Sequence, residues 1–156
     1  MTTLYLFIGS ITYLLVSFNQ VTVLHFEEGI DRYIYGGKEA DLQFTIQGDG
    51  KTLAIRPIKK DRLSNLIVFT KDKTFNFHFK LQAKDYLEFA DIRLAKKNSR
   101  YQLFKSTKNY DLYEGESSLL IQNKLQNPIL INGQKVERQN YFSKAPLFYK
   151  EEQLYP

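Results

Sequence analysis

Two histidines, His25 and His78, are the side chains best placed to move a proton near neutral pH, and the chain contains no cysteine. That absence excludes disulfides, thiolate catalysis and cysteine-based zinc sites. His25 lies in VLHF and His78 in FNFHF, both within runs that read as strands. His25 has no second histidine or carboxylate at ligand spacing, so no metal ion is expected there. On the strand that carries His78, Phe75, Phe77, Phe79 and Leu81 share one face. Thr74, Asn76, His78 and Lys80 share the other, which sets His78 on the solvent side.

The carboxylates are arranged no better for catalysis. Glu27 and Glu28 are adjacent, so on a strand they point to opposite faces and make no acid–base dyad. Glu114 and Glu116 form a second acidic cluster in YEGE. The GDG of residues 48–50 lacks the further oxygen ligands of a calcium loop and reads as a turn. YGGKEAD has neither the spacing of a phosphate loop nor a Ser or Thr after its lysine. No catalytic residue, metal ligand or cofactor is expected, and the chain is not read as an enzyme.

Binding chemistry is better represented. Arg56, Lys59, Lys60 and Arg62 precede a hairpin in which Lys71, Lys73 and Lys80 continue the positive charge. Over the whole chain 22 Lys and Arg stand against 17 Asp and Glu, a net charge of +5 that suits an anionic partner. A basic loop beside an aromatic sheet is how oligonucleotide-binding barrels hold single strands, so a single-stranded nucleic-acid-binding barrel is the alternative function. The alternation weighs against it, because the phenylalanines occupy the face that lacks the lysines. Lysines that guard aggregation-prone strands explain the same charges.

The elements that would position these groups are strands. The chain has 12 Phe, 11 Tyr and no Trp, a composition that favours β structure. VTVLHF (21–26), IDRYIY (30–35), DLQFTI (41–46) and KTLAIRP (51–57) follow one another with Gly-rich or charged turns between them. LSNLIVFTKDKTFNFHF (63–79) adds two more strands around a charged turn. Its SNLIVFT segment is apolar on both faces, so both faces are expected to be covered. Six strands at this spacing predict a mainly β domain, an antiparallel sandwich of immunoglobulin-like type or a small barrel.

Three domains of sequence follow from this reading. Residues 1–19 contain the uncharged run Leu4–Phe18, read as a signal peptide or membrane anchor, with a buried first strand or helix as the alternative. Residues 20–97 form the sandwich, closing with AKDYLEFADIRLAKK (83–97). There Tyr86, Leu87, Ala90 and Leu94 fall in one helical arc and predict a short helix, while Phe89 and Ile92 lie outside that arc and keep a strand open. Residues 98–156 are a C-terminal extension whose Asn132-Gly133 predicts a type I′ hairpin over 129–136. The tail from Pro146 to Pro156 is expected to be extended and exposed, which makes Leu147, Phe148, Tyr149 and Tyr155 candidate contact residues beside Lys59, Lys60 and Arg62.

The stretch LAIRPIKKDRLSNLIVFTKDKTFNFHFKL (53–81) resembles the N-terminal domain of the conjugal-transfer family that includes TrbG, CagX and the ninth VirB protein. Leu53, Ile55, Arg56 and Pro57 correspond to the family's Leu-x-Ile-Lys-Pro strand end, with Arg in place of Lys. Asn65, Leu66, Val68 and Thr70 correspond to its Asn-Leu-x-Val-x-Thr segment. Lys73 stands at the basic turn, and Phe75, Phe77 and Leu81 match the alternating strand. The correspondence is close over about thirty residues and looser over roughly eighty.

The resemblance implies a β-sandwich subunit of a type IV secretion core complex. Such subunits are exported and form rings with a lipoprotein and a partner that spans the inner membrane. The expected location is therefore the periplasm or cell envelope, reached through the N-terminal segment or through partners. It would be the cytoplasm if residues 4–18 belong to the fold.

Overall fold

The computed structural model describes residues 2–156 and is built of strands and turns, with no helix among the described residues. The chain divides into two compact units, the first holding residues up to Leu4 with Ile11–Arg93, the second Tyr5–Ser10 with Leu94–Pro156.

Strands β1 (Thr2–Leu6), β2 (Ile11–Val16), β3 (Thr22–Phe26), β4 (Ile30–Tyr35) and β5 (Leu42–Ile46) come first in the chain. They are followed by β6 (Thr52–Pro57), β7 (Leu66–Thr70), β8 (Thr74–Leu81) and β9 (Phe89–Leu94). One sheet has the order β1-β9-β3-β6-β5 and the other β2-β8-β7-β4. They pack face to face, because alternation sends every second side chain inward. Leu24 and Phe26 of β3 and Leu53 and Ile55 of β6 are buried with Leu66 and Val68 of β7 and Phe75 and Phe77 of β8. The Phe26 ring lies 5.3 Å from Phe75 and 6.3 Å from Phe77. At the β4–β5 side Phe44 packs between Tyr33 and Tyr35, 4.9 and 5.6 Å away.

The fold is therefore a sandwich, and neither sheet closes into a barrel. Its sheets are mixed rather than antiparallel, since β2 runs parallel to β8 and β3 parallel to β9. Long connections make this geometry available, because parallel neighbours need a crossover rather than a tight turn.

The run Leu4–Phe18, expected as a leader, contributes β1 and β2 to the fold. Leu4, Leu6, Leu14, Leu15 and Val16 are buried, and β2 keeps six consecutive registered pairs with β8, from Ile11↔Asn76 to Val16↔Leu81. Apolar character suits a core strand as well as a membrane, and pairing with a strand 65 residues away is invisible locally. The expected helix over 83–97 is likewise replaced. Residues 89–94 form β9, with Ala90 and Ile92 inward and Asp91 and Arg93 outward, so a period of two prevails.

Residues 94–156 build a second sandwich rather than a loose extension. Its strands are β10 (Gln102–Ser106), β11 (Tyr110–Glu114), β12 (Leu119–Asn123), β13 (Ile129–Ile131), β14 (Gln134–Val136), β15 (Gln139–Phe142), β16 (Leu147–Tyr149) and β17 (Glu152–Tyr155). Sheets β10-β11-β12-β15 and β14-β13-β16-β17 enclose Leu112, Leu119, Ile121, Ile131, Val136, Leu147 and Leu154. The predicted hairpin is present: Ile129 pairs with Val136, and Asn132 and Gly133 take φ of 51° and 76°. These are the positive angles of a type I′ turn. The Asn132 side chain also accepts from Phe148 N at 2.8 Å and donates to Pro146 O at 3.2 Å, tying the hairpin to β16.

Candidate functional site

The residues singled out between Leu53 and Leu81 divide into core, brace and clamp. Leu53, Ile55, Leu66, Val68, Phe75 and Phe77 are core. Pro57 ends β6, where its carbonyl accepts from Asn19 N at 2.8 Å. Arg56 faces outward and donates to Gln43 Oε1 at 2.9 Å and Asn19 Oδ1 at 3.2 Å. Asn65 braces the entry to β7: its carbonyl accepts from Gly36 N at 2.8 Å. Its Oδ1 and the Ser64 hydroxyl lie so close to Gly36 that a Cβ there would meet each at 2.6 Å and have to push these side chains aside. Leu81 is half-buried opposite Val16 at the end of β8.

Thr70 and Lys73 form the clamp. Lys73 Nζ donates to Glu28 Oε1 at 2.8 Å and Asp72 Oδ1 at 3.0 Å, while the Thr70 hydroxyl donates to the same Glu28 oxygen at 3.2 Å. The hydrogen bond to Glu28, then that to Asp72, raises the Lys73 pKa; the bond from Lys73 in turn lowers that of Asp72. A basic residue at this turn thus ties the β7–β8 hairpin to the segment entering β4.

The proton-transfer candidates stay apart. Glu27 lies 3.5 Å from Arg93 whereas Glu28 serves the clamp, so the two acids have separate partners. His25 has a neighbour that sequence spacing misses: Asp49, delivered by the β5–β6 turn, lies 3.8 Å from Nδ1, and Thr52 Oγ1 lies 2.8 Å away. Asp49 itself is occupied as a turn acceptor for Lys51 N, Thr52 N and Thr52 Oγ1. Among the described residues no three His, Cys, Asp or Glu side chains gather as a metal site.

His78 stands on the outer face, with its ring edge-on to Tyr13 at 5.7 Å. Burial there lowers its pKa from the ordinary value. The unfolded chain therefore takes up a proton at a higher pH than the fold does, and His78 weakens the fold as pH falls below about 6.5. An NMR titration is expected to give His78 a midpoint below the ordinary imidazole value. His78→Asn is expected to flatten the stability profile in that window, and a midpoint at or above the ordinary value would contradict this placement.

The outer face of the second sheet is only half covered. Ile34, Ile67, Asn76 and Ile11 lie in one row across β4, β7, β8 and β2, and Phe69 carries the Arg32 guanidinium 4.0 Å from its ring centre. Ile67 and Phe69 remain partly exposed, so SNLIVFT is fully covered on its inner face alone. The inward phenylalanines Phe75 and Phe77 are unavailable for base stacking.

The contact candidates separate by unit. Lys59, Lys60 and Arg62 are exposed on the loop after β6. Leu147 and Phe148, expected on an exposed tail, are buried, because β16 and β17 pair with each other and β16 pairs with β13. Tyr149 packs edge-on to Tyr110 at 5.7 Å. Tyr155 gives its hydroxyl to Glu114, and burial and then that bond raise its pKa. A tail rich in Leu, Phe and Tyr reads equally well as a docking segment or as core; only the pairing decides. No protein-family model matches this chain, and no curated protein matches it either.

Proposed function

We propose that the protein is a non-enzymatic subunit of a type IV secretion or conjugation core complex of the TrbG, CagX and VirB type, working through protein–protein assembly. The observation that carries assembly is the exposure of large apolar side chains on strands that end their sheets. Ile34 on β4 is 49% exposed and Leu103 on β10 is 58% exposed, with Ile46 on β5 and Phe104 on β10 also exposed. Terminal strands offer unpaired backbone groups, and apolar side chains beside them suit strand-edge contacts with neighbouring subunits. The family reading rests on the sequence resemblance of residues 53–81. Repeated contacts of this kind close into a ring, and partner subunits hold the protein at the cell envelope.

Cells carrying a tagged full-length chain are fractionated, and the envelope is extracted with a gentle detergent. The tag is expected in the envelope fraction and in a complex several times the mass of the chain. Leu103→Lys, at a side chain that is 58% exposed, is expected to reduce the complex while leaving the thermal transition in place. A full-length cytosolic monomer would refute the proposal.

A further inference from the structure

One end of the first unit carries an apolar cluster set in positive charge. Phe18, Val21 and Ile58 are 39%, 47% and 40% exposed. They project from the β2–β3 turn and from the loop after β6, and the two segments are tied together. Asn19 N donates to Pro57 O at 2.8 Å, Arg56 Nη1 donates to Asn19 Oδ1 at 3.2 Å, and Tyr86 Oη donates to Gln20 Oε1 at 3.2 Å. Ile58 N and Lys59 N both donate to Asp41 O, at 2.8 and 3.1 Å, which fixes the start of the basic loop. From Arg56 to Arg62 the chain has four basic residues, Arg56, Lys59, Lys60 and Arg62, against Asp61, and Asp41 lies 3.9 Å from Lys59 Nζ, which leaves a local charge of +2. Lys60 Nζ sits 4.8 Å above the Phe18 ring, so its charge stands directly over the apolar tip.

We infer that this end of the first unit docks on an anionic phospholipid surface. Apolar side chains on braced turns enter the boundary between headgroups and acyl chains, and flanking Lys and Arg are drawn to negatively charged headgroups. Single-stranded nucleic acid fits less well. Val21 and Ile58 have no face on which a base can stack, Lys60 already takes one face of the Phe18 ring, and the Tyr86 hydroxyl is held by Gln20. This inference goes beyond the assembly reading and does not depend on it.

The full-length chain is sedimented with vesicles of phosphatidylcholine alone, or with about one third phosphatidylglycerol. Binding is expected to be at least about tenfold stronger on the anionic vesicles and to be lost in about 0.5 M salt, where exposed charges are screened. Lys59→Glu with Lys60→Glu and Arg62→Glu is expected to abolish it. Phe18→Ser with Ile58→Ser, which alters no charge, is expected to weaken it several-fold, with an unchanged thermal midpoint showing that both variants fold. Equal binding to both vesicle types, no binding, or full binding by the apolar variant would each overturn the inference. So would displacement from the vesicles by oligothymidylate, which would assign the surface to nucleic acid. Vesicle binding without any envelope complex would refute assembly and leave this surface standing.

Discussion

Deleting Thr2–Phe18 is expected to abolish the cooperative unfolding of the first unit. The deletion removes Leu4, Leu14, Leu15 and Val16 of that unit, all buried. At about 1.5–3 kcal/mol for each buried side chain, the loss is roughly 6–12 kcal/mol. That is comparable with the whole stability of a typical domain, about 5–15 kcal/mol. It also strips β8 of its parallel neighbour from Asn76 to Leu81, opening a long strand to solvent. Urea unfolding followed by circular dichroism checks this. The truncated chain should show loss of β signal, aggregation or a broad transition without a baseline. A sharp transition with the parent's midpoint and slope would show that the run is dispensable, as a leader would be.

The second large effect is expected at Phe77. Its side chain is fully buried between Phe26 and Phe75, and its strand neighbours are Leu66 on β7 and Thr12 on β2. Phe77→Ala removes the ring and leaves a cavity that two flanking sheets cannot collapse to fill, a change that typically costs about 3–5 kcal/mol. The adjacent position supplies the control. His78→Ala loses an edge-on contact with Tyr13 on a half-exposed face, a change of no more than about 1.5 kcal/mol. Denaturant midpoints of the two variants measure the contrast directly. If the order were reversed, the register of β8 would be displaced by one residue, because such a slip exchanges the two faces of the strand.

That contrast marks how far local pattern reaches in this chain. The alternation of Phe75, Phe77 and His78 assigns each to its face without knowledge of any partner strand. Asn132-Gly133 is equally legible, because positive φ at two successive positions is a property of those residues themselves. Leu53 and Ile55 read as core by the same alternation, whereas Leu66 and Val68 lie in a run that is apolar on both faces. Ambiguity begins where apolar residues follow no clear period. Leu4–Phe18 and the Leu147–Tyr155 tail satisfy a leader or a docking segment as well as they satisfy strands. The 83–97 segment carried two periods at once, and the shorter one prevailed when β9 found β3 beside it.

The contact surfaces show the same division. Lys59, Lys60 and Arg62 are exposed, as their charges require, yet nothing in their spacing places Phe18 beneath Lys60 or Asp49 beside His25. Nor does spacing join Glu28 to Thr70 and Lys73 across more than forty residues.

By itself, then, the sequence determined the β character of the chain, the inward and outward faces of its alternating strands and the tight turns that join them. These depend on the geometry of a few consecutive residues. The tertiary structure alone decided that the first apolar run enters the sandwich, that the last residues complete a second core, and which side chains meet. Those outcomes depend on the free energy of pairing and burial between segments far apart in the chain, and a local pattern carries no record of its distant partner.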